Sequence, residues 1–469
     1  MQEILKEIKN LYRQTFNEDF DIAGKLPVSG SARIYYRLKN ENRSVLAAYN
    51  KDKKENLAFT EFSKIFREKG INVPRIFSEN LSQNIYLLED LGDNTLFEAI
   101  KKEGYFSENI VEIYKKTLEQ LTELQISAGN NIDYSLCYPR NAFDKQSIMW
   151  DLNYFKYNFL KFTDVLFDEQ LLEDDFNTLT DYLLGTDCNY FLFRDFQSRN
   201  IMLKDDRVYF VDYQGGRKGA LQYDIASLLY DAKAGIPEKI KTELLNYYIN
   251  CVQKYIKIDR NEFIEYFYAY ALIRVLQAFG AYGFRGLYEK KQHFIDSIKP
   301  GLKNLSDIAE KARITNKLPE LRKVINMLSK SDKLKNITDK NKLTVTIKSF
   351  SYKRGIPYDN TGNGGGFVFD CRFINNPGRI EKYRNMCGKD KPVIDFLEKE
   401  KDTSIFSDAV KKILSAAVNN YISRDFKNLS VSFGCTGGQH RSVYFAEKIT
   451  EFLTENFDIN INLIHTEGF

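Results

Sequence analysis

The sequence predicts two kinds of architecture in one chain: an α+β unit, with a small β-rich lobe ahead of a larger helical lobe, followed by a smaller α/β unit. Three observations predict this. Residues 26–50 alternate in polarity like a hairpin, and Asn84–Asp93 read as a buried strand running into a polar connector. Long amphipathic stretches at 107–127, 144–160, 239–256 and 261–281 then carry helical periodicity. From residue 342 the pattern changes again to strand, glycine-bearing loop and helix, the signature of an α/β layer. A length of 469 residues leaves room for two or three domains, each able to bury a core.

Taken in order, Met1–Ile8 read as a short amphipathic helix rather than a leader, and no run of about 18 apolar residues is present, so a soluble cytoplasmic protein without membrane contact is expected. Val28-Ser29-Gly30-Ser31-Ala32 leads into a first strand, Ala32–Leu38. Lys39–Asn42 make a turn, and Arg43–Tyr49 a second strand. The small residues Ser29, Gly30 and Ser31 suit either an ordinary turn or a loop whose amides approach a phosphate. A helix is expected over 55–69, and Asn84–Asp93 run from strand into a polar connector. The six cysteines lack metal-ligand spacing and there are three histidines, which argues against a zinc site or a disulfide framework.

Net charge is +4, but residues 311–342 hold ten Lys/Arg against three Asp/Glu, leaving the remainder slightly acidic. That stretch is either a solvated helix face or a nucleic-acid contact. The weakly periodic segment Ser329–Asn336 marks the main boundary. The expected divisions are 1–92 for the small lobe, 93–312 for the helical lobe, 313–341 for a basic helical connector and 342–469 for the second unit.

The most informative motif is Arg194-Asp195-Phe196-Gln197-Ser198-Arg199-Asn200, followed after a β-like segment by Val211-Asp212. A carboxylate, an amide five residues later and a second carboxylate past a strand are the minimal equipment for phosphoryl transfer. One acid orients and deprotonates a hydroxyl, while the amide and the other acid hold magnesium on nucleotide phosphates. The alternative reading of each is a cap or turn former.

With the flanking motifs the resemblance becomes specific. Ser29–Arg33 with Tyr36-Arg37, Leu87–Asp93, Phe193–Met202, Val211–Gln214, Gln222–Asp231 and Ile273–Arg285 together resemble the aminoglycoside/choline phosphotransferase branch of the protein-kinase-like bilobal fold. Within that branch they are similar to the AmgK-like anomeric sugar kinases, which phosphorylate N-acetylmuramate and N-acetylglucosamine at C1. The resemblance covers about residues 1–310. It implies ATP and Mg2+ as cofactors, Asp195 as catalytic base, Asn200 and Asp212 as metal ligands, and Asp224 as a structural carboxylate under the catalytic loop. It also implies a nucleotide site at Ser29, Gly30, Ser31, Leu88, Glu89, Asp90 and Leu91. Two departures stand out: Phe193 occupies the place of the usual loop histidine, and the strand Ser44–Tyr49 lacks the phosphate-binding lysine, for which Lys51, Lys53 or Lys54 are the nearby substitutes. Arg140, beside Phe143-Asp144 and Trp150-Asp151, is either a carboxylate grip for a muramic acid or a surface residue.

In the second unit, strand Leu343–Phe350, glycine-rich turn Thr361–Gly366, buried strand Phe367–Phe373 and helices near 390–420 precede Leu429–Ser442 and a helix from about Val443 to Phe457. A glycine loop between strand and helix aims amides and the helix dipole at an anion. Cys435-x-x-Gly438-x-x-Arg441-Ser442 has the spacing of cysteine-dependent phosphatases. The wider sequence, Ser349–Pro357, Phe369–Pro377 and Gly434–Val443, resembles instead the C-terminal domain of RapZ RNase adapter proteins. That implies a phosphosugar pocket of Asp370, Arg372, Thr436, Gly437, Gly438, His440 and Arg441, with His465 on a nearby terminal strand, sensing a phosphorylated amino sugar and binding RNA. The nucleotide-binding P-loop that usually precedes this domain is absent, since no Gly-x4-Gly-Lys-Ser/Thr occurs.

The two resemblances converge on amino-sugar metabolism: a sugar kinase with a small-molecule sugar substrate, fused to a sensing domain with a phosphorylated amino-sugar effector and RNA as further partners. The rival readings are a non-catalytic nucleotide-binding regulator or RNA adapter, and a phosphatase built on Cys435. Turnover that depends on Asp195 separates the first from the second, and phosphate release that depends on Cys435 identifies the third.

Overall fold

The computed structural model describes residues 2–26, 33–104, 106–335, 342–359, 366–424 and 426–467. They form two compact units, Met1–Ser331 and Asp332–Phe469.

The first unit opens with helix Gln2–Phe16 and a five-stranded antiparallel sheet of order β1-β2-β3-β5-β4. The strands are β1 (Ile22–Lys25), β2 (Ile34–Lys39), β3 (Ser44–Tyr49), β4 (Ile76–Asn80) and β5 (Ile85–Glu89). One face of the sheet buries Tyr36, Leu38, Val45, Ala47, Ile85 and Leu87 against Ile8, Leu11 and Tyr12 of the first helix. Helix Lys53–Glu68 contributes Phe59, Phe62 and Phe66 to the core. It starts where Asp52 caps the amides of Lys54 and Glu55. Phe59 stacks on Tyr86 and on Tyr213 at ring separations of 5.3 and 4.9 Å, which ties the sheet to the larger lobe.

In the larger lobe, helix Arg260–Ala281 is central and packs on helices Lys145–Asn158, Gln222–Leu229 and Ile298–Lys311. Glycine is required where this layer meets Lys145–Asn158: a Cβ on Gly283 would lie 1.8 Å from the Asn158 carbonyl oxygen. Two short ribbons, β6 (Tyr190–Leu192) with β9 (Arg217–Gly219) and β7 (Ile201–Lys204) with β8 (Arg207–Phe210), frame the segment from Phe193 to Gln214.

The stretch read from sequence as a connector, 313–341, is divided. Helix Pro319–Lys330 buries Leu321, Val324, Ile325 and Leu328 in the first unit. Its N-terminus is fixed by two bonds: the Leu321 amide donates to Asp175, and the Asp168 amide donates to Glu320. The positive charge there is the solvent face of an amphipathic core helix.

The second unit is a parallel sheet of order β11-β12-β10-β13, with β10 (Thr344–Ser351), β11 (Phe367–Asp370), β12 (Asn428–Cys435) and β13 (Asn460–His465). Helices Lys391–Glu398, Lys401–Ser423 and Arg441–Asn456 contribute Val393, Leu414, Val418, Phe445 and Ile449 to a core with Val345, Ile347, Val431 and Phe433. The central strand β12 is buried along nearly its whole length, as a parallel strand covered on both faces must be. Among the described residues, no helix is long and apolar enough to cross a membrane.

Candidate active site

The segment after β6 is held by buried polar groups. Asp224, fully buried at the start of helix Gln222–Leu229, accepts from the backbone amides of Phe193 and Arg194 at 2.7 and 3.0 Å and from the Gln125 side chain at 2.9 Å. Burial pushes its carboxyl up to about 7, opposed by these three donors. Arg194 adopts φ +84° and makes a bidentate pair with Asp151, at 2.7 and 2.6 Å, while its guanidinium stacks between Phe143 and Tyr223. The backbone and side chain immediately before Asp195 are thereby held. The Asp195 carboxylate itself makes no hydrogen bond to a described residue.

Asn200 connects the two ends of the motif. Its Nδ2 donates to the Asp195 carbonyl at 2.8 Å and lies 3.4 Å from Asp212 Oδ2. Asp212, at φ +70°, accepts from Gln214 at 2.8 Å. Burial, then the nearby Asp195, raise its carboxyl above the ordinary range, so a cation between these groups would favour its ionised form. Among the described residues no cluster of three His, Cys, Asp or Glu side chains could hold a metal unaided. One carboxylate and one amide oxygen suit a hard cation that completes its shell with water and nucleotide phosphate oxygens, which is how Mg2+ usually binds.

Three cavities adjoin at this motif. One of about 240 Å³ is lined by Leu46, Phe59, Leu88, Leu91, Met202 and Val211, and also by Asn200 and Asp212. A middle cavity of about 630 Å³ shares Asn200 and Asp212 with it and adds Glu55, Arg194, Asp195 and Arg217. A third of about 270 Å³ shares Asp195 and Arg199 with the middle one. Asp195 therefore stands between a cavity continuous with the Asn200–Asp212 pair and a separate chamber within the helical lobe. An apolar slot, a polar centre and a second chamber in series suit a nucleotide base, its phosphates and an acceptor.

Of the expected nucleotide residues, Leu88, Glu89 and Leu91 line the first cavity. Ser29, Gly30 and Ser31 lie outside the described residues. Asp90 is engaged elsewhere, accepting from Arg37 and from Ser44 at 2.5 Å, and Glu89 pairs with Lys204 at 2.8 Å. Lys51, Lys53 and Lys54 do not line any of the three cavities. A further cation beside the polar centre is Arg33, whose side chain is 1% exposed and pairs with Glu55 at 2.9 Å. Arg33 lies in the Ser29–Arg33 motif and on the expected first strand, but the sequence assigns it no role, since the phosphate-binding lysine of the resembled kinases belongs on the second strand. Arg140 is not an acceptor contact: it is bonded to Asp144 and Gln146, stacks near Trp150, and lines none of the three cavities. Arg217 and Arg274 were also missed. Each is isolated in sequence from the Asp195 motif and reaches the cavities through tertiary packing.

In the second unit the loop 436–440 leaves the carboxyl end of β12 and enters helix Arg441–Asn456, the place where open parallel sheets bind ligands. Thr436 and Gly437 are exposed, and Gly438 has φ +72° and no room for a Cβ, which would meet Glu467 at 2.4 Å. Arg372 pairs with Asp370 at 2.7 Å and stacks 3.9 Å from the Tyr352 ring. His440 is buried, with Nε2 2.9 Å from the Tyr383 carbonyl. Arg441 Nη1 donates to the carbonyls of Arg372 and Ile374, at 2.9 and 2.6 Å. Cys435 is 2% exposed with Sγ 3.1 Å from Ser442 Oγ. A nucleophilic thiol needs access and a stabilised thiolate, and this one has no access. His465 lies on β13 between Ser349 and Glu447, at 2.8 and 3.1 Å.

Residues 25–255 match the model of the phosphotransferase enzyme family, and residues 343–468 match that of the RapZ C-terminal domain. The chain thus joins a phosphotransferase-family domain to a RapZ C-terminal domain. A nucleotide-binding protein of Staphylococcus epidermidis is 32% identical over 180 residues, 36% of this chain and 57% of that protein. A nucleotide-binding protein of Thermosipho melanesiensis is 42% identical over 117 residues, 25% of this chain and 40% of that protein. The chain spans little more than half the length of the first of these curated relatives. Among solved structures, choline kinase LicA from Streptococcus pneumoniae is similar at 12% identity and a TM-score of 0.43, over 65% of this chain and 99% of that one.

Proposed function

We propose that the first unit is an ATP- and Mg2+-dependent phosphotransferase acting on a hydroxyl of an amino sugar of the N-acetylmuramate or N-acetylglucosamine type. The observation that carries this is the position of Asp195 between the cavity of the Asn200–Asp212 pair and the separate chamber beyond it. In this reading the base packs among Leu46, Leu88, Met202 and Val211, and the phosphates lie over Asn200 and Asp212. Asn200 and Asp212 are the residues that would hold the metal, which would supply charge neutralisation on the phosphates. Asp195 accepts the proton of the acceptor hydroxyl as that oxygen approaches phosphorus, and Arg194, fixed by Asp151, keeps the loop from shifting. Arg33 holds Glu55 at the edge of the phosphate region.

The second unit, on the same reading, receives a phosphorylated amino sugar at the loop 436–440 and adjusts the kinase. Support comes from the open glycine loop at the carboxyl end of a parallel sheet, with Arg372 alongside. Asp370, Thr436, Gly437 and Gly438 complete the proposed pocket. His440 and Arg441 support it from behind through their bonds to backbone carbonyls.

The test is ADP release by wild type and Asp195→Asn with N-acetylmuramate, N-acetylglucosamine, choline and an aminoglycoside. Sugar-dependent release that falls by about 10²–10⁴ in the variant is expected, the usual contribution of a general base. Absence of acceptor-dependent release in wild type would favour a non-catalytic nucleotide-binding regulator.

A further inference from the structure

Three arginines line the middle cavity, and they differ in what they are free to do. Arg194 is committed to Asp151. Arg199 is exposed. Arg217 is 7% exposed, makes no ion pair with a described residue, and shares the cavity wall with Asp195, Asn200 and Asp212. The ribbon of β6 and β9 fixes its backbone. Arg217 stands opposite Leu192, just ahead of the Asp195 motif, and Gly216 lets the turn close on the Phe191 ring, where a Cβ would lie 2.1 Å from a ring carbon.

The Arg217 guanidinium is held in place but not neutralised. Nε and Nη2 both donate to the Gly215 carbonyl oxygen, at 3.1 and 3.0 Å, which leaves Nη1 without a partner among the described residues. A buried cation resting on one neutral oxygen is costly unless an anion reaches it. Burial, then the nearby Arg194, lower this guanidinium from its ordinary value, opposed by Tyr223, Asp151 and Asp195. Position then selects the anion. Arg217 lines the middle cavity and not the apolar slot of Leu46, Leu88, Met202 and Val211, so it meets what passes beyond the Asn200–Asp212 pair toward Asp195. A nucleotide with its base in that slot presents its outermost phosphate to this region.

We infer that Arg217 clamps the terminal phosphate of the nucleotide, the group that is transferred, through its Nη1. This rests on the phosphotransferase reading for what fills the middle cavity, and it adds a catalytic residue to that reading. The charge missing from the second strand thus enters from the helical lobe, and it falls on the transferred phosphate. As the acceptor oxygen bonds to phosphorus, the bond from phosphorus to the bridging oxygen of ADP breaks. The hydroxyl proton passes to Asp195 and the leaving electron pair stays on ADP. Nη1 donates to a non-bridging oxygen of the group in transfer, where negative charge is spread in the transition state.

The test is calorimetric binding of ADP and of the non-hydrolysable AMP-PNP to the full chain with Mg2+, with turnover on N-acetylmuramate and N-acetylglucosamine measured separately. Wild type should bind AMP-PNP about ten- to a hundredfold tighter than ADP, the range of a charge-assisted hydrogen bond. Arg217→Gln should erase that preference, leave ADP affinity within about twofold and lower kcat by about 10²–10³, the usual loss of one donor in a preorganised anion site. Arg217→Lys, which keeps the charge but not the fork, should retain part of both. An arginine that only shapes the turn would lower ADP and AMP-PNP affinity together. That result overturns the inference, as does a preference untouched in Arg217→Gln, or sugar affinity lost with the preference intact. Melting is followed for each variant because the bonds to Gly215 go with the side chain. If Arg217→Gln unfolds, Arg217→Lys decides, and its preference must fall below that of wild type. Wild type that binds AMP-PNP no tighter than ADP overturns the inference in every case. A preference that depends on Arg217 without turnover in wild type leaves this inference standing and removes the kinase, whereas Asp195-dependent turnover at the wild-type rate in Arg217→Gln does the reverse.

Discussion

Asp195 owes its position to residues that need not touch a ligand. Asp224 receives three N–H donors, so Asp224→Asn would turn an amide NH2 toward some of them and leave buried groups unpaired, at a cost of about 1–3 kcal/mol. The expected outcome is a lower denaturant midpoint together with a fall in turnover larger than any change in nucleotide affinity. Arg33→Met removes the ionic partner of Glu55 and leaves it the hydrogen bond from Asn50. Breaking a fully buried pair costs about 3–5 kcal/mol, and the partial exposure of Glu55 reduces this to about 2. Urea unfolding should show that loss and the KM for ATP should rise, with Arg33→Lys intermediate in both. At this scale the motif Asp195, Asn200 and Asp212 was legible because its members are close in sequence and differ chemically from their neighbours. Arg33, Arg217 and Arg274 were not, since each is a single cation whose role exists only after the sheet and helices have packed. Of the two readings open for Arg140, its local pair with Asp144, four residues on along the chain, fits the surface residue.

Elements with a clear period were legible. The hairpin of β2 and β3 and helices Lys53–Glu68, Lys145–Asn158 and Arg260–Ala281 stand within a few residues of the expected ranges. Ribbons of three or four residues, such as β6 with β9, are too short to show alternation and exist because Gly216 and Gly219 let the chain lie against Phe191 and Leu192. The expected strand through Phe373 stops at Asp370 because the following residues turn to meet Arg441. Glycine at 438 is demanded by a left-handed φ and by contact with Glu467 and Ser351. Gly438→Ala should therefore destabilise the second unit by about 1–3 kcal/mol. In the full chain the unfolding transition of the second unit should move down while that of the first unit stays in place.

For the whole molecule, the position at which the first unit ends has a direct consequence. The basic composition of 311–342 suggested a connector, yet helix Pro319–Lys330 buries four apolar side chains in the first unit. A fragment ending at Ser331 should be soluble, cooperative and active. One ending at Ala312 should aggregate, since burying that helix removes several side chains worth about 1.5–3 kcal/mol each from water. Circular dichroism melts of the two fragments decide this, and comparing the first with the full chain reports what the second unit adds to turnover.

The central claim is that Asp195 activates an acceptor hydroxyl for attack on a metal-bound nucleotide. Single-turnover transfer of the labelled γ-phosphate of ATP to N-acetylmuramate or N-acetylglucosamine tests it most directly, in wild type and Asp195→Asn, with ATP binding measured alongside. Label on the sugar in wild type, its near absence in the variant and equal ATP affinity in both are the predicted result. Transfer at the wild-type rate by Asp195→Asn would contradict the account.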